Sequence, residues 1–265
     1  MNKYSLVFKT SFKHEKVTVF DTILRAISFF LIVFILIQLW SYIYGEGGVN
    51  QVINGYSLEQ MLWYLIVTES IQCSVRASSI VRGIGKEIKT GSIAYKINKP
   101  YNYFLYSVTS FMASSVWKSL FMIPAGLLMG FLIVGRVETF SVYQIIPCII
   151  ALYSSQLLMW ILHGIIGLIS FWVEDSDPFN WIIIKFFMLF GMLFPLEFFP
   201  RSIQLIITYS PIYSVFSGPA KLVANFSWEL FFKVLFSQFT WISILLFLGL
   251  FIYRKGRKKV NANGG

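Results

Sequence analysis

The sequence has little charge for its length. Only 13% of its 265 residues are charged and 57% are apolar, whereas soluble domains carry roughly 25% charged residues. The mean hydropathy is +0.69. A soluble chain with 27 Phe, 14 Tyr and 8 Trp would expose large apolar patches. The composition therefore argues against soluble enzymes, nucleic-acid binders and disulfide-rich secreted domains, and it predicts an integral membrane protein.

Histidine and cysteine are scarce, which argues against an active site. Of the two histidines, His14 lies in the N-terminal arm and His163 is alone in an apolar run, so no histidine-based metal cluster or catalytic triad is available. Cys73 and Cys148 lie in apolar runs and are predicted to be small buried residues. A phosphate-binding GxxxxGK[ST] loop is also missing, since residues 83–86 lack its spacing. We therefore predict no catalytic residue, no metal and no cofactor bound by this chain.

Long apolar runs are what the sequence has instead. A spanning helix needs about 20 mostly apolar residues, and six runs reach this length. They lie near residues 23–44, 58–80, 107–134, 145–172, 179–199 and 234–253. The uncharged stretch 202–220 is divided by Pro211, so it is predicted to be a re-entrant or interfacial pair of short helices on the outer face.

Positive charge determines the predicted orientation. The net charge is +10, and the cations concentrate in the N-terminal arm, in residues 82–99 and in residues 254–259. Six spans place all three segments in the cytoplasm, whereas seven would put the C-terminal tail outside, against the positive-inside rule. The prediction is an all-α membrane protein with one transmembrane domain, residues 1–265, and both termini cytoplasmic. Residues 1–20 are predicted to form an amphipathic helix in the inner membrane interface.

Five ionisable residues fall within the predicted spans, where charge costs at least ~2.5–3.5 kcal/mol near a helix centre. Lys185 and Glu197 lie near the ends of their span and are interpreted as anchors. Glu69 and Lys118 lie nearer the middle of the membrane and are predicted to form a pair. With His163, these two are the candidate residues of a translocation path, although pairing between helices or reaching to an interface explains such residues as well.

The connection 79–100 is the most informative segment. Its isoleucines share one helical face and its cations the opposite face, although Gly83 and Gly85 weaken the helix. The two faces contain Ile80, Ile84 and Ile88, and Arg82, Lys86 and Lys89. Gly91 is predicted to end this helix. Such a helix suits either coupling to a soluble partner or attachment to lipid headgroups.

An acidic cluster, Glu174, Asp175 and Asp177, lies on the predicted inner connection between spans four and five. Carboxylates attract cations, but this cluster is interpreted as a solvated loop or as a contact with a basic partner.

The order of these features resembles the type-2 permeases of ATP-binding-cassette exporters, and most closely the six-span branch of daunorubicin-resistance-like permeases. Residues 86–93, KEIKTGSI, followed by Asn98-Lys99-Pro100, resemble the E-x-R-x-G-x-(L/I) … (R/S)-P pattern of the family's coupling loop. Residues 194–200, FPLEFFP, together with 210–213 and 218–220, resemble the proline-rich re-entrant segment. Lysine stands at positions 89 and 99 where arginine is commoner, which keeps the charge but not the guanidinium fork.

The resemblance implies that this chain is half of a transmembrane domain. It implies a second permease half, identical or a sister subunit, and two copies of a separate ATPase that uses ATP and Mg. It places the chain in a bacterial-type inner (plasma) membrane, in contact with lipid and not with nucleic acid, and exporting an amphipathic substrate. Implied roles are ATPase coupling for Arg82, Lys86, Glu87, Lys89 and Gly91, and an outer re-entrant gate for Pro195, Glu197, Pro200 and Pro211.

Two other classes of function stay open. A secondary transporter or channel would need a site for a coupling ion, commonly within inverted repeats. Glu69 is the only carboxylate placed near the middle of the membrane, and spans four to six do not repeat spans one to three. An intramembrane enzyme would need a His/Asp cluster near a membrane face. Neither the substrate nor the choice of homodimer or heterodimer follows from the sequence.

Overall fold

The computed structural model describes residues 3–15, 19–45, 51–135, 141–173 and 175–263, so Glu174 of the acidic cluster lies outside the described residues. These residues are mostly helical. The first six helices are α1 (Lys3–Glu15), α2 (Val19–Tyr44), α3 (Leu58–Ser74), α4 (Ala77–Lys89), α5 (Ile93–Ile97) and α6 (Tyr103–Ile133). The next five are α7 (Ile145–Leu168), α8 (Asp177–Phe187), α9 (Arg201–Thr208), α10 (Gly218–Ala224) and α11 (Trp228–Asn263).

Four helical segments of the described chain are long and apolar enough to cross a membrane. They are Phe20–Tyr44, Tyr103–Ile133, Val142–Phe171 and Trp228–Lys259, and they correspond to the first, third, fourth and sixth predicted spans. The last helix continues well beyond the predicted end of its span, at residue 253, through the basic tail.

The second predicted span, 58–80, is not one continuous helix, because it runs through α3 into α4. α3 ends at Ser74, and Val75 has an extended backbone with φ −108° and ψ 127°. α4 then begins at Ala77. No glycine or proline marks this break, so hydropathy alone runs through it. α3 nevertheless lies at the centre of the bundle, between α2, α6 and α10, and is buried continuously from Met61 to Ile71.

The fifth predicted span, 179–199, ends too late. Helical backbone continues from α8 through a π-helical turn, Met188–Leu193. Phe194 is extended, with φ −128° and ψ 128°, because the ring of Pro195 disfavours a helical conformation in the residue before it.

The predicted pair of short helices within 202–220 is α9 followed by a second helical segment that begins at Pro211 and ends with α10. The two segments differ in burial. α9 buries only Ile207, whereas eleven of the twelve residues from Tyr213 to Ala224 are buried against α3, α7 and α11.

The all-α prediction missed one short hairpin. Strands β1 (Val52–Ile53) and β2 (Tyr56–Ser57) pair antiparallel just before α3. Asn54-Gly55 forms the turn, with φ of 49° and 86°, and Asn-Gly is the preferred sequence for such a two-residue turn. Ser57 then caps α3, because its side chain accepts a hydrogen bond from the Gln60 amide.

The N-terminal helix α1 lies side by side with the first half of α6, in the same direction. The Asn102 amide donates to Tyr4 Oη at 3.2 Å, near the start of both helices. Ser11 and Ser110 share a hydrogen bond of 2.9 Å, and Phe12 packs edge-on against Trp117. Part of the apolar face that was predicted to lie in the lipid interface is therefore covered by protein.

Candidate functional site: the coupling segment and a polar cluster

We call residues 77–100 the coupling segment. Its first helix, α4, has the two faces that the sequence predicted. Ile80 and Ile84 are each 1% exposed and lie against α7, while the cations Arg82, Lys86 and Lys89 are exposed on the opposite face.

Glycine brings α4 and α7 close together. A Cβ atom at Gly167 of α7 would lie 2.9 Å from Ile84 Cβ, and one at Gly85 would lie 3.1 Å from Ser170 Oγ. Gly85 therefore does not interrupt α4, because tertiary packing compensates for its low helix propensity.

Gly91 ends α4 with a positive φ of 71°, and its N–H donates to the Ile88 carbonyl at 3.1 Å. Only glycine adopts this conformation without steric cost. The chain turns there into the short helix α5, so the predicted role of Gly91 as the helix terminator is confirmed.

Glu87 is half-buried and bonds to two other elements. Lys96 of α5 donates to Oε1, and Tyr103 at the start of α6 donates to Oε2 at 2.8 Å. Glu87 thus ties α4 and α5 to α6. Arg82, Lys86, Lys89 and Gly91 are exposed, so the five predicted coupling residues divide into these four and Glu87. We call Glu87 with its partners Lys96 and Tyr103 the internal brace.

A second ion pair ties α4 to α8. Arg82 Nε lies 2.7 Å from Asp177 Oδ2, at the first residue of α8. One member of the predicted acidic cluster therefore has its basic partner within the chain.

The three candidate path residues each have a different partner. Lys118 is fully buried and bonds to Glu15 Oε2 at 3.1 Å and to Ser114 Oγ at 2.9 Å. Glu69 accepts a weak bond from the thiol of Cys73. His163 Nδ1 donates to the Met159 carbonyl at 2.9 Å.

The predicted pairing of Glu69 with Lys118 is therefore wrong. α1 lies along α6 and supplies a nearer carboxylate, Glu15, to Lys118. The structure does not bring the three path candidates into one described hydrogen-bonded cluster.

Glu197 is the centre of a polar cluster next to the start of α3, whereas the coupling segment follows the end of α3. Lys221 of α10 forms an ion pair with Oε1, and Tyr56 of the hairpin donates to Oε2 at 3.0 Å. Burial, and then the negative charge of Glu197, raise the pKa of Tyr56 above its ordinary value, so this phenol stays a donor. We call Tyr56, Glu197 and Lys221 the outer cluster, after the face of the membrane on which the sequence predicts residues 202–220.

The prolines that were predicted to form a gate shape the backbone around Glu197. Pro195 is buried and begins the short turn that contains Glu197. Pro200 immediately precedes α9, and Pro211 begins the helical segment that ends in α10. The sequence analysis identified Glu197 and the three prolines but missed Tyr56 and Lys221. The only signal for Tyr56 was the preceding Asn-Gly turn, and the only signal for Lys221 was its position as a single lysine after an uncharged stretch.

No group of three or more His, Cys, Asp or Glu side chains among the described residues is arranged to hold a metal ion. The polar groups of the coupling segment and those of the outer cluster instead form hydrogen bonds and ion pairs that link helices within each site.

Comparison with known proteins gives one family. Residues 29–264 match the model of a family described as ABC-2 family transporter protein. No curated protein matches the chain. The match includes α3 to α11, and with them the coupling segment and the outer cluster.

Proposed function

The chain belongs to the ABC-2 transporter family, a family of membrane transport components that generally work with an ATP-binding-cassette ATPase. On that premise we propose that it is the permease subunit of an ATP-driven exporter. A separate ATPase, in two copies, hydrolyses ATP with Mg and drives transport of an amphipathic substrate. A second permease half, identical or a sister subunit, completes the pathway in the plasma membrane.

The family match carries this proposal, and the coupling segment supports it. Arg82, Lys86 and Lys89 present positive charge on one exposed face, while the opposite face is held against α7. Arg82 also pairs with Asp177, whereas Lys86 and Lys89 remain exposed. An exposed cationic face suits a groove that contains carboxylates, since complementary charge guides docking.

The internal brace gives the coupling segment a route to the spans. A force on α4 acts on α6 through the bond of Glu87 to Tyr103, and on α5 through its bond to Lys96. It also acts on α8 through the pair of Arg82 with Asp177. In this proposal the closure of the ATPase moves α6 and α8 together.

Six spans remain part of the proposal. α3 has 17 residues, and α8 has 11 residues with six more helical residues after it. Each length lies at the lower limit for a spanning helix, about 17–25 residues. The positive-inside rule then puts the coupling segment and both termini in the cytoplasm. The outer cluster and residues 194–224 close the pathway on the other face.

The test is recovery of the partner from the native membrane. The tagged chain is extracted in mild detergent, and the co-purifying proteins are identified by mass spectrometry. We expect an ATPase with a phosphate-binding loop at about one copy per permease, and a second permease if the complex is a heterodimer. The variant Lys86→Glu should lose the ATPase, because it reverses charge on the exposed face of α4.

Lys255→Glu is the matched control, because it makes the same charge change at an exposed lysine of α11, outside the coupling segment, and should keep the ATPase. If the intact wild-type chain is repeatedly recovered alone, the ATP-coupled proposal is wrong. Transport driven by a proton gradient would then favour the secondary transporter, with Glu69 as the ion site to test.

A further inference from the structure

A polar cavity of about 380 Å³ lies between α1, the start of α4 and the first half of α6. Six hydroxyl side chains line it: Thr10, Ser11, Ser79, Ser110, Ser114 and Ser115. A liquid water occupies about 30 Å³, so the volume suits a polar group much larger than a single water. Three of the six, Ser110, Ser114 and Ser115, belong to α6, which is otherwise apolar enough to span a membrane, and they lie on the side of α6 next to α1 and α4.

Positive charge exceeds negative charge around this cavity. Arg76 lines the wall and pairs with Asp21 at 2.8 Å, but Arg25 bonds to the same carboxylate at 3.2 Å. Glu15, also in the wall, is neutralised by the buried Lys118. In these three ion pairs of the described residues, three cations share two carboxylates, and an anion in the cavity would complete the balance.

Arg76 also has an unused donor. Its terminal nitrogen binds Asp21, but Nε is buried and has no hydrogen-bond partner among the described residues. A buried donor without a partner is unfavourable, so a group in the cavity that accepts a hydrogen bond from Nε would stabilise Arg76.

We propose that this cavity binds the phosphate group of a phosphate-bearing ligand, either a free phosphate compound or an anionic lipid headgroup. A phosphate offers oxygens in several directions, which suits a guanidinium and a ring of hydroxyls better than the two oxygens of a carboxylate do. His14 is the remaining ionisable side chain in the wall. The site does not depend on ATP coupling, since its groups come from α1, α4 and α6 of this chain alone.

The test is calorimetric titration of the full chain, delipidated in maltoside detergent, without ATPase or nucleotide. The probes are inorganic phosphate, dihexanoyl phosphatidic acid and glutarate, a dicarboxylate control. Arg76→Gln should weaken binding of the phosphate probe roughly tenfold, the loss of one charge-assisted donor. Arg82→Gln is the matched control, because it also removes an arginine paired with an aspartate but does not line the cavity.

A second variant protects the test against a folding defect in Arg76→Gln. Ser79→Leu fills the cavity from an exposed position without a change of charge, and should also weaken binding. If both phosphate probes bind, and if Arg76→Gln and Ser79→Leu weaken binding while Arg82→Gln does not, the proposal is supported and a soluble ligand is favoured. Binding of phosphatidic acid alone supports it and favours a lipid headgroup. The proposal is overturned if neither probe binds, if all variants bind equally, or if glutarate binds as well as phosphate.

Discussion

Single charged residues in this chain act mainly as ties between helices. Glu87 is the clearest example, because one carboxylate accepts from Lys96 and from Tyr103. We expect Glu87→Gln to lower the free energy of unfolding by roughly 1–2 kcal/mol, since bonds to a charged group are lost. Lys96→Met should have a similar effect, and the double variant should cost less than the sum, because both changes remove the same pair.

Thermal unfolding in detergent measures this, at roughly 2–4 °C per kcal/mol for a chain of this size. Lys86→Gln is the control, since it removes an exposed charge next to Glu87 and should leave the midpoint unchanged. Additive effects of the two brace variants would mean that Glu87 and Lys96 do not interact.

The outer cluster gives a charge-exchange prediction. Lys221→Glu places two carboxylates together at Glu197 and should lower the unfolding midpoint, since like charges in contact repel. The double variant Glu197→Lys with Lys221→Glu restores opposite charges and should recover much of the loss. A double variant as unstable as the single one would show that the Lys221 pair contributes nothing. Tyr56→Phe removes the remaining donor and tests the hydrogen bond separately.

The sequence showed that charges within spans need an explanation, but it paired Lys118 with Glu69 and interpreted Glu197 as an anchor, whereas the structure pairs them with Glu15 and Lys221. Lys118 and Glu15 are 103 residues apart, and Tyr56 and Glu197 are 141 apart. No local pattern relates such distant residues. One signal near the cavity was readable, because Ser107, Ser110 and Ser114 recur on one face of α6 with Lys118.

At the scale of helices, periodicity predicted faces better than hydropathy predicted ends. The buried isoleucine face and the exposed cationic face of α4 follow directly from the 3.6-residue repeat. The end of the helical backbone that continues from α8 to Leu193 was readable from Pro195, whereas the break at Val75 was not, because neither a glycine nor a proline marks it. α3, which ends there, packs against α2 and α10, and α10 is distant in the chain.

Helix packing yields a prediction at Gly249 of α11. A Cβ atom there would lie 2.4 Å from Phe104 Cζ on α6 and 3.2 Å from Ile165 on α7. Gly249→Ala therefore forces Phe104 to move, and overpacking of a core costs typically 1–3 kcal/mol. We expect a lower unfolding midpoint, whereas Leu248→Ala, at an exposed neighbour, should change it little. A midpoint that stays at the wild-type value in Gly249→Ala would show that α11 packs less closely on α6.

At the scale of the whole molecule, the outer cluster and the coupling segment lie at opposite ends of the central helix α3. The outer cluster adjoins its start through the hairpin that ends at Ser57. The coupling segment begins just beyond its end at Ser74. The proposed function needs these two ends of α3 on opposite sides of the membrane. The orientation of the chain therefore connects the coupling segment and the outer cluster with that function.

Cysteine labelling tests that orientation directly. In a Cys73→Ala, Cys148→Ala background, a single cysteine is introduced at Gln51, Ser92 or Lys258, all exposed positions. With six spans, an impermeant maleimide should label Gln51→Cys in intact cells, and the other two only after permeabilisation. Labelling of all three variants in permeabilised cells is the control for accessibility. If Lys258→Cys reacts in intact cells as Gln51→Cys does, an odd number of crossings separates residue 92 from residue 258. Either residues 201–224 would then be a fifth crossing after residue 92, or the helical segment 177–193 would not cross and three crossings would remain. In both cases the basic tail of α11 would lie outside, against the positive-inside rule.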